Sequence, residues 1–171
     1  MVTGSTVSSF QGDPRATHDI DIVIELKQTD LALLFKAFPQ PEYYWDRNYA
    51  EAAVETKQMF DLMSVAEGDK VDFFLLTPDA YDQVRFARRT KISVFEFVID
   101  VSSPEDTILY KLHWAKLSGS SEKQLYDALR VYEVQYDILD MPHIEKWVLE
   151  LGVEALWERL KSEAFKIPRL P

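Results

Sequence analysis

The segment Asp19–Leu26 constrains the chain most, because apolar and polar positions alternate strictly along it. Ile20, Ile22 and Ile24 fall on one side, and Asp19, Asp21, Val23 and Glu25 on the other. A period of two with β-branched residues predicts a strand with two unlike faces. Residues i and i+2 of a strand project the same way, so Asp19 and Asp21 stand side by side. Adjacent carboxylates repel unless a cation lies between them. Read blandly, Asp-Ile-Asp is the solvated face of an amphipathic strand. A third acid changes the weighting. Asp72 interrupts the apolar run Val71–Leu76, where an unpaired charge is costly. Hard dications such as Mg²⁺ take oxygen ligands of this kind and complete their shells with water and substrate phosphates. Three such acids on neighbouring strands would suit a two-metal site for displacement at phosphorus.

The chain changes texture near residue 103. Before it, Met1–Thr3 reads as the end of a strand, Thr6–Phe10 as one or two helical turns, and Thr29 or Asp30 as the cap of a helix reaching Phe38. Met59–Val65 and Lys70–Leu76 read as strands joined through Glu67-Gly68-Asp69. A short helix over Asp79–Arg85 precedes strand-like runs at Lys91–Glu96 and Phe97–Val101; Glu51–Lys57 is ambiguous. Beyond it, Ser103 as N-cap with Pro104 at the first helical position predicts a helix with Ile108, Leu109, Leu112 and Ala115 in a stripe. A second helix is expected after the polar break Ser118–Glu122, and two more around His143–Leu151 and Val153–Glu163. The expected fold class is α+β: a core over 1–102, with 103–171 as a helical part packed on it.

Composition narrows the chemistry. The 171 residues include no cysteine, which excludes disulfides, thiolate metal sites and a cysteine nucleophile. The formal charge is −10, with 17 acids against 10 basic residues before residue 101. Such a chain has no basic surplus for broad nucleic-acid binding, so a phosphate ligand must be held by a few placed groups or by a metal. No apolar stretch of membrane-spanning length and no signal-peptide pattern is present, and the expected location is cytoplasmic.

Gly4-Ser5 sits between the first strand end and the first helix, where glycine lets backbone approach a phosphate and the helix start supplies donors. The longer Walker loop with its Lys-Ser/Thr ending is absent. Gly4-Ser5, then Asp19-Ile20-Asp21, then Lys70-Val71-Asp72-Phe73-Phe74 is an ordered set that resembles the nucleotidyltransferase superfamily with a polymerase-β-like catalytic core. The linker Gly12-Asp13-Pro14-Arg15-Ala16-Thr17-His18-Asp19 is similar to the Gly-x-x-Arg-x-Thr-x-Asp wording of many small members. Ser103–Leu112, Arg88-Arg89 and Glu122–Asp127 look like features of its small bacterial, toxin-like branch.

The resemblance covers roughly residues 1–160 and implies a mixed β-sheet flanked by helices, with a C-terminal helical segment. It implies that Asp19, Asp21 and Asp72 are catalytic and bind two Mg²⁺. It also implies that Gly4, Ser5, Arg15 and Lys111 contact a nucleoside triphosphate. The implied reaction moves a nucleoside monophosphate to an acceptor hydroxyl on tRNA or protein, in a chain that would act as the toxin of a toxin–antitoxin pair. A non-catalytic nucleotide-binding or interaction module with the same fold is the alternative, and a metal-dependent phosphohydrolase a third reading.

Other residues divide between functional and structural readings. Arg15 either reaches phosphates or pairs with Asp13. Lys111 is a surface lysine or a nucleotide contact partnered by Asp127. Arg88-Arg89 is the one obvious basic patch for an RNA acceptor. His18 reads as positioning or incidental, His113 and His143 as helix residues without catalytic part, and the four tryptophans as packing. Members of the family usually carry a helix and a full strand before the Gly-Ser turn, whereas only Met1-Val2-Thr3 stand there. A shortened first strand is expected to expose a sheet edge and to put the placement of Ser5, and hence activity, in question.

Overall fold

A sheet with its covering helices and a set of later helices form two compact units in the computed structural model, which describes residues 1–166. One unit comprises Met1–Thr6 and Ala16–Val101, the other Val7–Arg15 and the chain from Ser102 onward. The helical unit thus takes in residues 7–15, which lie far from it in sequence.

The first unit is built on a seven-stranded mixed sheet. Its strands are β1 (Val2–Thr3), β2 (Asp19–Ile24), β3 (Tyr43–Tyr44), β4 (Met59–Ser64), β5 (Lys70–Leu75), β6 (Thr90–Val94) and β7 (Phe97–Val101), in the order β3-β4-β5-β2-β1-β7-β6. β2 and β5 run parallel, and β4 pairs antiparallel with β5. β1 lies inside the sheet, antiparallel to β2 and parallel to β7, and Val23 N–H donates to the Met1 carbonyl at 2.8 Å. The expected exposed edge is therefore not at β1; three residues suffice to bridge its neighbours.

The helices α2 (Gln28–Ala37) and α3 (Arg47–Thr56) supply the core of this unit. Leu31 and Phe35 of α2 and Ala50, Ala53 and Val54 of α3 pack with Phe60, Leu62, Phe73 and Leu75 of the sheet. Ile22, Ile24 and Val71 adjoin that cluster, so the isoleucine side of β2 is the core side. α2 starts two or three residues earlier than expected, with Lys27 as N-cap and Asp30 reaching back to accept from the Lys27 N–H at 3.1 Å. Asp46 caps α3 by accepting from the Tyr49 N–H, which resolves the ambiguous stretch as a helix. Trp45 stacks on Phe35 with ring centroids 3.6 Å apart, a packing role as expected. α4 (Ala80–Ala87) is capped by Asp79 and leads into the β6–β7 hairpin.

The helical unit contains α5 (Pro104–Leu117), α6 (Glu122–Gln135), α7 (Met141–Leu151) and α8 (Glu154–Glu163), with a 3₁₀ turn at Tyr136–Ile138. The Ser103 hydroxyl accepts from the Asp106 N–H at 3.2 Å, the cap that the sequence predicts. Ile108, Leu109, Leu112 and Ala115 of α5 are fully buried, as are Ala128 and Val131 of α6, Ile144 of α7 and Leu160 of α8. Each large apolar side chain so buried contributes roughly 1.5–3 kcal/mol. The helix α1 (Gly4–Gln11) begins in the first unit and ends in the second. Among the described residues no helix is long and apolar enough to cross a membrane.

Candidate functional site

The acids of β2, β5 and β4 meet through strand register. Asp21 lies directly opposite Asp72 in the parallel β2–β5 pair, and Asp19 opposite Lys70. In the antiparallel β4–β5 pair, Asp61 lies opposite Asp72 on the other side. Residues opposite one another share a face, and adjacent strands are about 4.8 Å apart. Asp21, Asp72 and Asp61 therefore form a row across three strands, with Asp19 one step along β2. This face is turned away from the α2–α3 core.

The face grades from solvent to interior. Asp19 is exposed, Asp21 half-buried, and Val23 1% exposed. The bland expectation of a solvated face fails at Val23 and at Asp72, which is only 8% exposed. Lys70 Nζ lies 3.0 Å from Asp72 Oδ2. The other oxygen, Asp72 Oδ1, is buried with no hydrogen-bond partner. An acceptor in that position costs free energy unless something fills its coordination. The Lys70 ammonium is held above its usual pKa, first by its hydrogen bond to Asp72, against the opposing effect of burial, and further by the charges of Asp72, Asp19 and Asp61.

Gly4 opens α1 directly after β1 with φ +69°, in the left-handed region. Its missing side chain has a second reason. A Cβ built there would lie 1.7 Å from Asp21 Oδ2 and 2.6 Å from its Cγ. The Asp21 carboxylate thus sits against bare backbone at the start of α1, where the helix dipole favours negative charge. Ser5, the next residue, is half-buried.

The linker before β2 has a structural reason at each motif position. Gly12 abuts the α6 backbone, with a notional Cβ 3.0 Å from Val131 N and from the Ser8 carbonyl oxygen. Of the two readings for Arg15, phosphate contact or pairing with Asp13, neither names the partner found: its NH2 binds Asp127 Oδ2 at 2.9 Å. Asp13 instead accepts from Arg130 (Nε 2.7 Å, NH2 3.0 Å) and from the Tyr126 hydroxyl, and Arg130 chiefly holds its carboxyl below the ordinary value. Thr17 and Thr6 hydroxyls both donate to the Asp19 carbonyl, at 3.2 and 3.4 Å, and fix the start of β2.

Lys111 is not a surface lysine. It is 3% exposed, and its Nζ lies 2.8 Å from Asp127 Oδ2, the oxygen that Arg15 also binds. Burial pushes the ammonium below its usual pKa, and Asp127 works against that shift. Asp127 Oδ2 thus accepts from two cationic side chains at once. The acids and Gly4-Ser5 belong to the first unit, whereas Arg15, Lys111 and Asp127 belong to the second.

The remaining candidates have local partners. His18 Nδ1 is 3.7 Å from Asp69 Oδ1, both being exposed. His143 Nε2 lies 3.0 Å from the fully buried Asp106 carboxylate, a structural pairing of α7 with α5. Arg89 donates to the Phe86 carbonyl, covers the Phe86 ring and lies 3.7 Å from Asp100, so its charge is largely committed within the first unit. Asp61 is the member of this acid row that the sequence did not single out.

Among solved structures, this chain is similar to an antigenic nucleotidyltransferase-like protein from Paracoccidioides brasiliensis. The similarity has a TM-score of 0.50 at 16% identity, over 95% of this chain and 84% of that one. The fold is nucleotidyltransferase-like. No family model matches the chain, and no curated protein sequence matches it. On this nucleotidyltransferase-like fold, donor chemistry is the test of the implied metal. An all-oxygen row with an orphaned Asp72 oxygen fits a hard dication. As they stand, the carboxylates are aligned but not gathered: among the described residues no three Asp, Glu or His side chains converge on one point. Lys70 supplies the positive charge at Asp72 instead.

Proposed function

We propose that this chain is a Mg²⁺-dependent nucleotidyltransferase that moves a nucleoside monophosphate from a nucleoside triphosphate to an acceptor hydroxyl. The observation that carries the reading is the register of Asp21 with Asp72, with Asp19 on the same face and Gly4 kept bare beside the Asp21 carboxylate. Asp19, Asp21 and Asp72 would hold two Mg²⁺, which would neutralise phosphate charge and favour in-line attack. Gly4 and Ser5 at the start of α1 would receive phosphate oxygens through backbone and hydroxyl donors. By resemblance alone, Arg15 and Lys111 would be further nucleotide contacts.

In the reaction the acceptor oxygen bonds to the α-phosphorus, the α–β phosphoanhydride bond breaks, and pyrophosphate leaves with the electron pair. The acceptor proton passes to one of the three carboxylates or to solvent. The acceptor is an RNA, with tRNA foremost, or a protein, and a cytoplasmic toxin role with a cognate antitoxin protein follows from the resemblance. Arg89, paired locally, offers an RNA acceptor less charge than the sequence suggested.

One observation favours the non-catalytic alternative: the acids do not converge, and Lys70 stands on Asp72. Incubation with Mg²⁺, each α-labelled triphosphate, and tRNA or lysate protein separates the two. Label transfer is expected, and Asp19→Asn or Asp21→Asn is expected to cut it by roughly 10²–10³-fold, the several kcal/mol that a metal-centred electrostatic contribution supplies. Transfer that survives in both variants overturns the assigned roles.

A further inference from the structure

The acid row carries its own cation, and the two halves of that ion pair differ in freedom. Lys70 stands opposite Asp19 in register and two residues before Asp72 on the same face of β5, with its Nζ 3.0 Å from Asp72 Oδ2. The Asp72 side chain is short and 12% exposed, so its carboxylate stays close to β5. The Lys70 side chain is 35% exposed and sits on a flexible four-carbon stem, so it can swing into solvent while β5 keeps its hydrogen bonds. Of the pair, the lysine is the movable member. Asp72 meanwhile keeps a second, buried oxygen unpartnered. A carboxylate half-satisfied by a removable ammonium suits an exchange of cations better than a permanent salt bridge, in which both oxygens would be bonded.

Resting on the metal-site reading above, we propose that Lys70 is a displaceable counter-ion, neutralising Asp72 until a divalent cation binds and leaving it when the cation arrives. This accounts for two features together. Four aligned acids are tolerated in the folded protein because the ammonium offsets their repulsion. The carboxylates stay ungathered because Asp72 is engaged with Lys70 rather than with an ion shared with Asp21. Lys70 is then a positioning residue that sets metal affinity from below: it competes with the metal instead of contacting the nucleotide.

The test is Mn²⁺ binding followed by the loss of the free-ion paramagnetic resonance signal, with no nucleotide or acceptor present. Wild type, Lys70→Met, Lys70→Gln, Lys70→Arg and Asp21→Asn are compared on the full chain. Removing the competing charge is expected to tighten Mn²⁺ binding roughly tenfold in Lys70→Met and Lys70→Gln, about the effect of one unit charge near a partly exposed site. Lys70→Arg, which keeps the charge, is expected to bind no tighter than wild type. A merely structural lysine predicts unchanged or weaker binding on its removal. That result, with Asp21→Asn abolishing binding, overturns the role of Lys70 and leaves the metal site standing. Absence of Mn²⁺ binding in every protein overturns the metal site and the inference together. Failure of both Lys70→Met and Lys70→Gln to fold assigns the residue to structure and likewise overturns the inference.

Discussion

Replacing Asp127 by alanine is expected to lower stability by about 3–5 kcal/mol, the loss typical of breaking a buried ion pair from one side. The Lys111 side chain is 4% exposed and Asp127 is 7% exposed, so neither charge is solvated in the folded state. Arg15 shares the same Asp127 oxygen, so the carboxylate offsets two cations at once. In a chain of this size the loss corresponds to a fall in Tm of roughly 10 °C or more. The pH dependence has a definite sign. Burial already holds the Lys111 pKa below its ordinary 10.5, and without Asp127 it falls further. Between the variant's further-lowered folded value and the wild-type one, only the variant's unfolded state binds more proton than its folded state, so as pH rises through that window the deficit of Asp127→Ala shrinks. The double variant Asp127→Leu/Lys111→Met is expected to recover most of the loss, because an apolar pair needs no charge compensation. Thermal melts of wild type and the two variants check this; a Tm within about 2 °C of wild type for Asp127→Ala contradicts it.

The second large effect is expected at Gly4. Alanine there meets two obstacles: φ +69°, which costs an L-residue about 1–2 kcal/mol, and a Cβ placed 1.7 Å from Asp21 Oδ2. The carboxylate is the softer of the two and must turn away from α1. Metal-dependent nucleotide binding is therefore expected to fall by about two orders of magnitude, because a site group displaced by an ångström loses its function. In the Asp21→Ala background, Gly4→Ala is expected to cost less stability, with a coupling of about 1–2 kcal/mol between the two positions. The relief is partial, since Asp21 Cβ itself lies 2.9 Å from the notional carbon. Strict additivity of the two changes in denaturant melts counts against the steric link.

Which parts of this molecule were legible in the sequence follows from the range of each interaction. The strands β2 and β5 declared themselves through alternation and an acid set in an apolar run, and those are local signals. The cap at Ser103 was legible for the same reason. Asp61 was not, because Phe60-Asp61-Leu62 has the alternation of any half-buried strand. Its place beside Asp72 depends on the register fixed by the β4–β5 turn, in which Met63 faces Lys70. The partner of Arg15 lies 112 residues away on α6, and the nearer acid Asp13 is taken by Arg130. Nothing within a sequence window distinguishes those pairings. β3 is two residues long and carries too little pattern to register. The Gly-Ser turn was read as a phosphate cradle, and the structure adds a reason the sequence did not supply: Gly4 makes room for a carboxylate.

The formal charge of −10 gains a local meaning from this arrangement. Asp19, Asp21, Asp61 and Asp72 lie on one face of β2, β4 and β5 with Lys70 among them, so on the proposed reading a metal would change the sign of that part of the face for a phosphate-bearing ligand. The most direct measurement is therefore triphosphate binding with and without Mg²⁺, by calorimetry on the full chain, with Asp21→Asn and Asp72→Asn as controls. The account predicts binding that requires Mg²⁺, vanishes with a chelator and weakens at least about tenfold in either variant. Triphosphate binding that is indifferent to Mg²⁺ and to both substitutions would contradict it.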